Sequence, residues 1–315
     1  LKLNLNLIPT LNPNLTLKLK LELNLPCNIF HIKKIKKMQT LSLLFIGDII
    51  GSPGLDFTRT FLPGISQKYK PDIMIANGEN ISDGKGCTEK EAQILFDLGV
   101  KVITGGNHTW DKHQSQEYLK QEPRSLRPLN YPKGTHGNGY IILDVKNTKI
   151  AVINLQGRTF MSPIDCPFRS AEWVISKIKN ESKIIIIDFH AEATAEKMAL
   201  ANFLDGKVSC VIGTHTHIQT ADERILPNGT GYITDVGMTG PYDSVIGMKT
   251  QAAINRFLYQ TPQKYETAKD EVHLSALFIK IDTESGKTTH IERIFFPEFE
   301  KSKNYNNVET SSSTA

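Results

Sequence analysis

The sequence predicts an α/β fold. From residue 40 onward short apolar runs alternate with helical patterns, and five of those runs end in polar clusters containing Asp, Glu, Asn or His. Ligands of open α/β sheets bind at the carboxyl ends of the strands. Five such clusters therefore predict a site gathered at one sheet edge. At 315 residues the chain accommodates one layered domain of roughly 250 residues plus tails. A content of 39% hydrophobic and 22% charged residues allows a sizeable core.

The first strand is the run LSLLFIG at 41–47, halting at Asp48. A second at 71–76 ends in Asn77-Gly78-Glu79-Asn80. Thr88-Glu89-Lys90-Glu91 is a capping box, so a helix is expected from Thr88 to about Leu98, closed by Gly99. Residues 100–104 form the third strand, ending in Gly105-Gly106-Asn107-His108. Residues 140–145 and 149–154 pair as a hairpin around Lys146-Asn147-Thr148. The β-branched run 183–187 ends in Asp188-Phe189-His190, 194–203 is helical, and 208–212 ends in Gly213-Thr214-His215-Thr216-His217. Two further strands are expected at 272–282 and 288–296, while the glycine-rich stretch 228–240 reads as a turn or a close approach to substrate.

The flanks read differently. Residues 1–25 alternate Leu with Asn, Lys, Thr and Glu, interrupted by Pro9 and Pro13, a low-complexity pattern unable to specify a packed core. No continuous apolar signal-peptide core is present, and the basic cluster HIKKIKK follows the apolar part instead of preceding it. Met38 is the expected functional start. The expectation is a disordered or non-native leader at 1–37, a single domain at 38–300 and a disordered polar tail at 301–315.

The leader also distorts the charge. Residues 1–37 carry seven lysines and one acid, so the net charge of +4 falls to −2 beyond them, and the folded part carries no strong nucleic-acid signal. Four scattered cysteines (Cys27, Cys87, Cys166, Cys210) lack C-x-x-C spacing. That excludes a thiolate zinc site and suits a reducing cytoplasm. No apolar run reaches the roughly 18–20 residues that span a bilayer.

The candidate metal ligands are Asp48, Glu79, Asn80, Asn107, His190, His215 and His217. Two divalent ions about 3.5–4 Å apart need several oxygen and imidazole donors, one of them a bridging carboxylate. Donors of this kind without thiolates suit Mn, Fe, Zn or Mg. Singly, each residue has an ordinary reading: Asp48 as a turn cap, Glu79 and Asn80 as loop polar groups, His190 as a satisfied core histidine. His215 and His217 are the sharpest local signal, because alternate residues of an extended segment point to one side.

The series GD (47–48), GEN (78–80), GNH (106–108), His190 and GTHTH (213–217) resembles the calcineurin-like metallophosphoesterases. Two positions depart from that pattern: Ile50 stands where a His is usual, and Glu79, followed by Asn80, stands where the bridging acid is normally Asp. With FIGDIIGSPG (45–54), RPLNYP (127–132), DFHAEATAEK (188–197) and GTHTHIQTADERILPNGTGYITDVGMTGP (213–241), these departures resemble the bacterial YmdB-like branch over about residues 41–296. The resemblance implies a four-layer sandwich of two central β-sheets flanked by helices, with phosphodiesterase activity on cyclic nucleotides of the 2′,3′-cAMP or 3′,5′-cAMP type. It further implies Asp48, Asn80 and His217 on one metal, Asn107, His190 and His215 on the other, and Glu79 bridging, with iron and manganese favoured. A bridging hydroxide would attack phosphorus, and His108 would protonate the leaving alkoxide, assistance worth about 10²–10⁴-fold.

Other readings fit less well. The chain lacks the P-C-x-x-C of a zinc deaminase and the H-E-x-x-H of a zincin. A TIM-barrel amidohydrolase carries its H-x-H on the first strand, far from the pair near residue 215. The rival from another class is a regulatory metal or nucleotide sensor with slow chemistry. Of the candidate phosphate contacts Arg127, Arg158, Arg169 and Arg224, three are expected to be solvated or structural. Trp110 and Phe160 are expected in core packing, and His113 and His136 on the surface. A symmetric homo-oligomer is the default for a soluble enzyme.

Overall fold

A computed structural model describes residues 39–264 and 266–299; the expectations for the leader and tail lie outside them. Along β1 (Thr40–Ile46), Leu41, Leu43 and Phe45 join one apolar cluster and Leu44 and Ile46 another. A strand apolar on both faces needs cover on both sides. The same alternation recurs in β6 (Thr148–Gln156) and β7 (Ile184–His190): Ile150, Val152, Ile184 and Ile186 enter the cluster of Phe45, while Ile153, Leu155, Ile185 and Ile187 face a third.

Three apolar clusters thus hold four layers together. The central one lies between a seven-stranded and a six-stranded sheet. Outside the first sheet pack α1 (Gly51–Tyr69), through Leu55, Leu62 and Ile65, and α2 (Glu89–Asp97), through Ala92 and Leu95. Outside the second pack α4 (Pro167–Ile178), through Ala171, Val174 and Ile178, and α5 (Thr194–Phe203), through Leu200 and Ala201. α3 (His113–Gln121) and α6 (Thr250–Tyr259) complete the helices among the described residues. This is the four-layer α/β sandwich.

In the first sheet β1 runs parallel to β3 (Ile73–Asn77), which runs parallel to β4 (Val102–Thr104). β12 (Val272–Asp282) closes against β1 antiparallel, and β13 (Thr288–Phe296) pairs with β12. In the second sheet β6, β7, β8 (Cys210–Thr214) and β10 (Gly231–Ile233) are parallel neighbours, edged by β5 (Tyr140–Val145) and β9 (Arg224–Ile225). The β5–β6 turn places Lys146 and Asn147 at φ 51° and 61°, the left-handed pair a two-residue hairpin turn requires.

Two sequence readings change. The 228–240 stretch is more than a turn, since it contains β10 and most of β11 (Met238–Pro241). Helix α1 was not foreseen: Gly54, Pro63 and Gly64 within it disfavour it. Its buried Leu55, Thr58, Leu62 and Ile65 keep helical spacing, and tertiary packing overrides propensity.

Candidate metal centre

Both sheets present the carboxyl ends of their parallel strands to one place. The first contributes Asp48, opening β2 (Asp48–Ile49), Glu79 and Asn80 after β3, and Asn107 after β4. The second contributes His190, the last residue of β7, and His215 and His217 just beyond β8. Glycine precedes two of these positions for steric reasons. A Cβ on Gly106 would strike the Glu79 carboxylate and the His190 ring, and one on Gly47 would strike the Gly237 carbonyl.

All seven predicted donors come together. His190 Nε2 lies 2.9 Å from Glu79 Oε1, 2.9 Å from His215 Nδ1 and 3.0 Å from Asn107 Oδ1. The Asn80 amide lies 3.1 Å from Glu79 Oε1 and 3.2 Å from His217 Nε2. Asp48 Oδ2 accepts the His215 backbone N–H at 3.3 Å, while its buried Oδ1 has no hydrogen-bond partner among the described residues.

The outer nitrogen of each imidazole fixes what the inner one can do. His190 Nδ1 donates to the Thr214 hydroxyl at 2.9 Å, and that hydroxyl in turn donates to Asp188 at 2.7 Å. His217 Nδ1 donates to the Ile246 carbonyl at 2.8 Å, and His215 Nε2 faces the Glu192 carboxylate at 3.1 Å. The inner nitrogens face the centre, His190 toward Glu79, His215 toward His190 and His217 toward Asn80, the arrangement by which outer partners orient metal-binding histidines.

Electrostatics point the same way. Burial pushes Asp48 well above the usual carboxyl range, and Asp235, Glu79 and Asp188 add to it against His190. Burial would lower His190, yet Glu79 and Asp48 lift it to about 9. Burial and the neighbouring His190 hold His215 near 2. Burial would raise Glu79, and the charge and hydrogen bond of His190 bring it to about 2. A proton on His190 Nε2 can serve only one of three acceptors; a divalent cation can serve all of them. The convergent lone pairs and the orphaned Asp48 oxygen fit metal ions, and one ligand atom each from Glu79, His190 and His215 lie within 4.8 Å of one another.

The backbone is strained here. His215 and His217 have φ of 101° and 68°, costing about 1–3 kcal/mol each. Between them the Thr216 N–H and hydroxyl donate to Asp235 at 2.9 and 2.8 Å, and Asp235 pairs with the buried Lys197 ammonium at 2.8 Å. Sequence reasoning assigned no role to Glu192, Asp188, Thr214, Asp235 or Lys197. One signal was available: Lys197 shares a face of α5 with the core residues Leu200 and Ala201.

The remaining expectations divide. His108 stands at the rim, its backbone N–H on Glu79 Oε2 and its Nδ1 on Asp111, both at 2.9 Å. Arg127 is structural, its guanidinium bonded to four backbone carbonyls, and Arg224 pairs with Asp222. His113 and His136 are on the surface. Phe160 is a correction: at 88% exposure and φ 62° it packs in no core. Ile50, in place of the usual His, is fully buried beside Gly240 and Gly247.

A family model described as YmdB-like protein matches residues 44–294. The chain belongs to the YmdB-like family. It is thereby a metallophosphoesterase, a hydrolase. A YmdB-like relative, the 2′,3′-cyclic-nucleotide 2′-phosphodiesterase of Bacillus subtilis (strain 168), is 48% identical over 254 residues, 81% of this chain and 96% of that one. The crystal structure of a hypothetical protein from Thermus thermophilus is similar at a TM-score of 0.76 and 40% identity, covering 81% of this chain and 99% of that one. That of a novel phosphatase from Mycoplasma pneumoniae reaches a TM-score of 0.78 at 34% identity, with 82% and 94% covered.

Proposed function

We propose that the chain is a dinuclear metal-dependent phosphodiesterase that opens nucleoside 2′,3′-cyclic phosphates. The observation that carries this reading is the set of three imidazoles, each held by its outer nitrogen, with inner nitrogens that meet Glu79, Asn80 and one another. The contacts support the division of ligands by metal for every residue but Asp48, which meets His215 and His190. Asn80 adjoins His217, Asn107 and His215 adjoin His190, and Glu79 touches both groups. Asn80 directs its amide NH₂ inward, so ligation through Oδ1 requires a half-turn of the amide. Imidazole, carboxylate and amide donors suit iron, manganese, magnesium or zinc, and the family resemblance favours the first two.

Two divalent ions supply Lewis acidity to the phosphoryl oxygens and an acidified water as nucleophile. The chain's own groups do the rest. As the water oxygen bonds to phosphorus, the P–O2′ bond breaks and the ribose oxygen leaves as an alkoxide needing a proton. His108 is placed to give it: Asp111 holds Nδ1 at 2.9 Å, leaving Nε2 for the leaving group. The substrate class follows the Bacillus relative, and 3′,5′-cyclic AMP is the comparison substrate. No helix among the described residues is long and apolar enough to cross a membrane, and free Cys87, Cys166 and Cys210 suit a reducing cytoplasm.

The test is hydrolysis of 2′,3′-cyclic AMP by metal-stripped protein with and without restored Mn²⁺. Metal-dependent release of an AMP monoester, abolished in Glu79→Gln, is expected. No release from protein shown to hold metal overturns the reading and leaves the sensor.

A further inference from the structure

The RPLNYP segment is not used by the chemistry above, yet it is bolted to the centre. Asn130 donates to the Gln156 carbonyl at 2.8 Å and accepts the Gln156 N–H at 2.9 Å; it also donates to the Asp165 carbonyl at 2.9 Å. The Tyr131 hydroxyl donates to the Gln156 side chain at 3.1 Å. Gln156 ends β6 in register with His190. On its other side the Tyr131 ring meets Trp110, two residues beyond His108, edge-on, centroids 5.9 Å apart. Burial raises the Tyr131 phenol, and the charge of Glu79 adds to that, as its position against the donors requires.

Outward from Tyr131 opens a cleft of about 600 Å³ lined by Arg127, Lys133, Asp165, Arg169 and Trp173, among others. That volume lies within the roughly 300–1,000 Å³ of ligand pockets. Three cations face one acid. Arg127 spends its hydrogen bonds on backbone carbonyls, so its charge is not neutralised by any carboxylate among the described residues. Lys133 and Arg169 are exposed and have no ion-pair partner among those residues. Trp173 on α4 leaves 55% of its surface open. Exposed cations beside an open aromatic face are the elements by which proteins hold single-stranded nucleotides.

We propose that this cleft binds the penultimate nucleotide, the one 5′ to the nucleotide that carries the cyclic phosphate, its base on Trp173 and the internucleotide phosphate between Lys133 and Arg169. The preferred substrate is then an oligoribonucleotide ending in a 2′,3′-cyclic phosphate, not a free mononucleotide. The inference rests on the phosphodiesterase reading and has its own test.

Mn²⁺-loaded protein is assayed on 2′,3′-cyclic AMP and on the diadenosine dinucleotide ending in 2′,3′-cyclic phosphate. The dinucleotide is expected to show a kcat/KM about 10-fold higher or more, consistent with what one stacked base and one phosphate contact contribute. The variant Lys133→Ala/Arg169→Ala/Trp173→Ala is expected to collapse that ratio toward one, with circular dichroism reporting that it folds. Equal rates on the two substrates, or a ratio that survives the triple substitution, overturns the cleft. If neither cyclic phosphate is cleaved, the function proposed above falls on its own. The cleft is then judged by titrating diadenosine 3′-phosphate calorimetrically: binding no tighter than that of 3′-AMP overturns it, and tighter binding lost in the variant upholds it.

Discussion

His108 stands apart from the buried donors, its ring 36% exposed and tied to Asp111. That contrast separates two roles that neighbouring residues of one motif could confuse. His108→Ala is expected to retain metal and lose about 10²–10⁴-fold in turnover of alkyl phosphodiesters, with a smaller loss on activated aryl esters whose leaving group needs no proton. Equal losses on both would remove the acid role. Glu192→Gln tests the outer shell, because Glu192 faces His215 Nε2. Loss of such a partner weakens metal binding by about 10–100-fold, readable by titration with Co²⁺ followed through its visible absorption. Lys197→Met strips the counter-ion from buried Asp235 and is expected to cost about 3–5 kcal/mol in urea unfolding. The sequence could not display either partnership: His215 and Glu192 meet only after β7 and β8 pair, and Asp235 lies on a different segment from Lys197.

Elements whose determinants are local were legible. The Thr88 capping box starts α2, with the Glu91 carboxylate accepting the Thr88 N–H at 2.9 Å. α5, β12 and β13 fall where hydrophobic pattern and β-branching place them. α1 was hidden because its glycines and prolines argue against a helix that only the Leu44–Leu274 cluster makes worthwhile. The junction between sheets is likewise a long-range matter. Asp72, just before β3, accepts from the Ser42 N–H and hydroxyl of β1 at 2.7 and 2.8 Å, and pairs with Lys146 of the β5–β6 turn. Burial would raise the Asp72 carboxyl, but Lys146 and Ser42 hold it below its ordinary value. A depressed folded pKa contributes stability that is present above the unfolded value of about 3.9 and lost as pH falls through the folded one. Asp72→Asn is therefore expected to melt below the native protein at pH 7, with the gap shrinking below about pH 4. A gap independent of pH would show that the carboxylate charge contributes nothing.

Across the whole molecule, the oxygen donors come from the first sheet and the imidazoles from the second. Ions held by the proposed ligands would tie the two sheets, and metal binding would then be folding free energy wherever the unfolded chain does not bind. Stripping the metals is expected to lower the melting temperature, and restoring them at about 100 times Kd to return about 2.7 kcal/mol per site. A melting temperature indifferent to chelation would mean that the centre does not bridge the sheets. The sequence announced this convergence through five polar strand ends, but not which sheet each strand would join, because sheet order depends on pairings made across the whole chain.

The return of β12 to lie beside β1 has a consequence for synthesis. Every proposed donor, from Asp48 to His217, leaves the ribosome before β12, one of the two strands that flank β1, exists. During that interval the nascent chain carries a full complement of ligands without the frame that spaces them, and β1 keeps an open edge. Completion of the proposed centre is therefore expected to wait for β12, and a delay in translating residues 218–282 to lengthen the time in which metal can be captured in the wrong geometry.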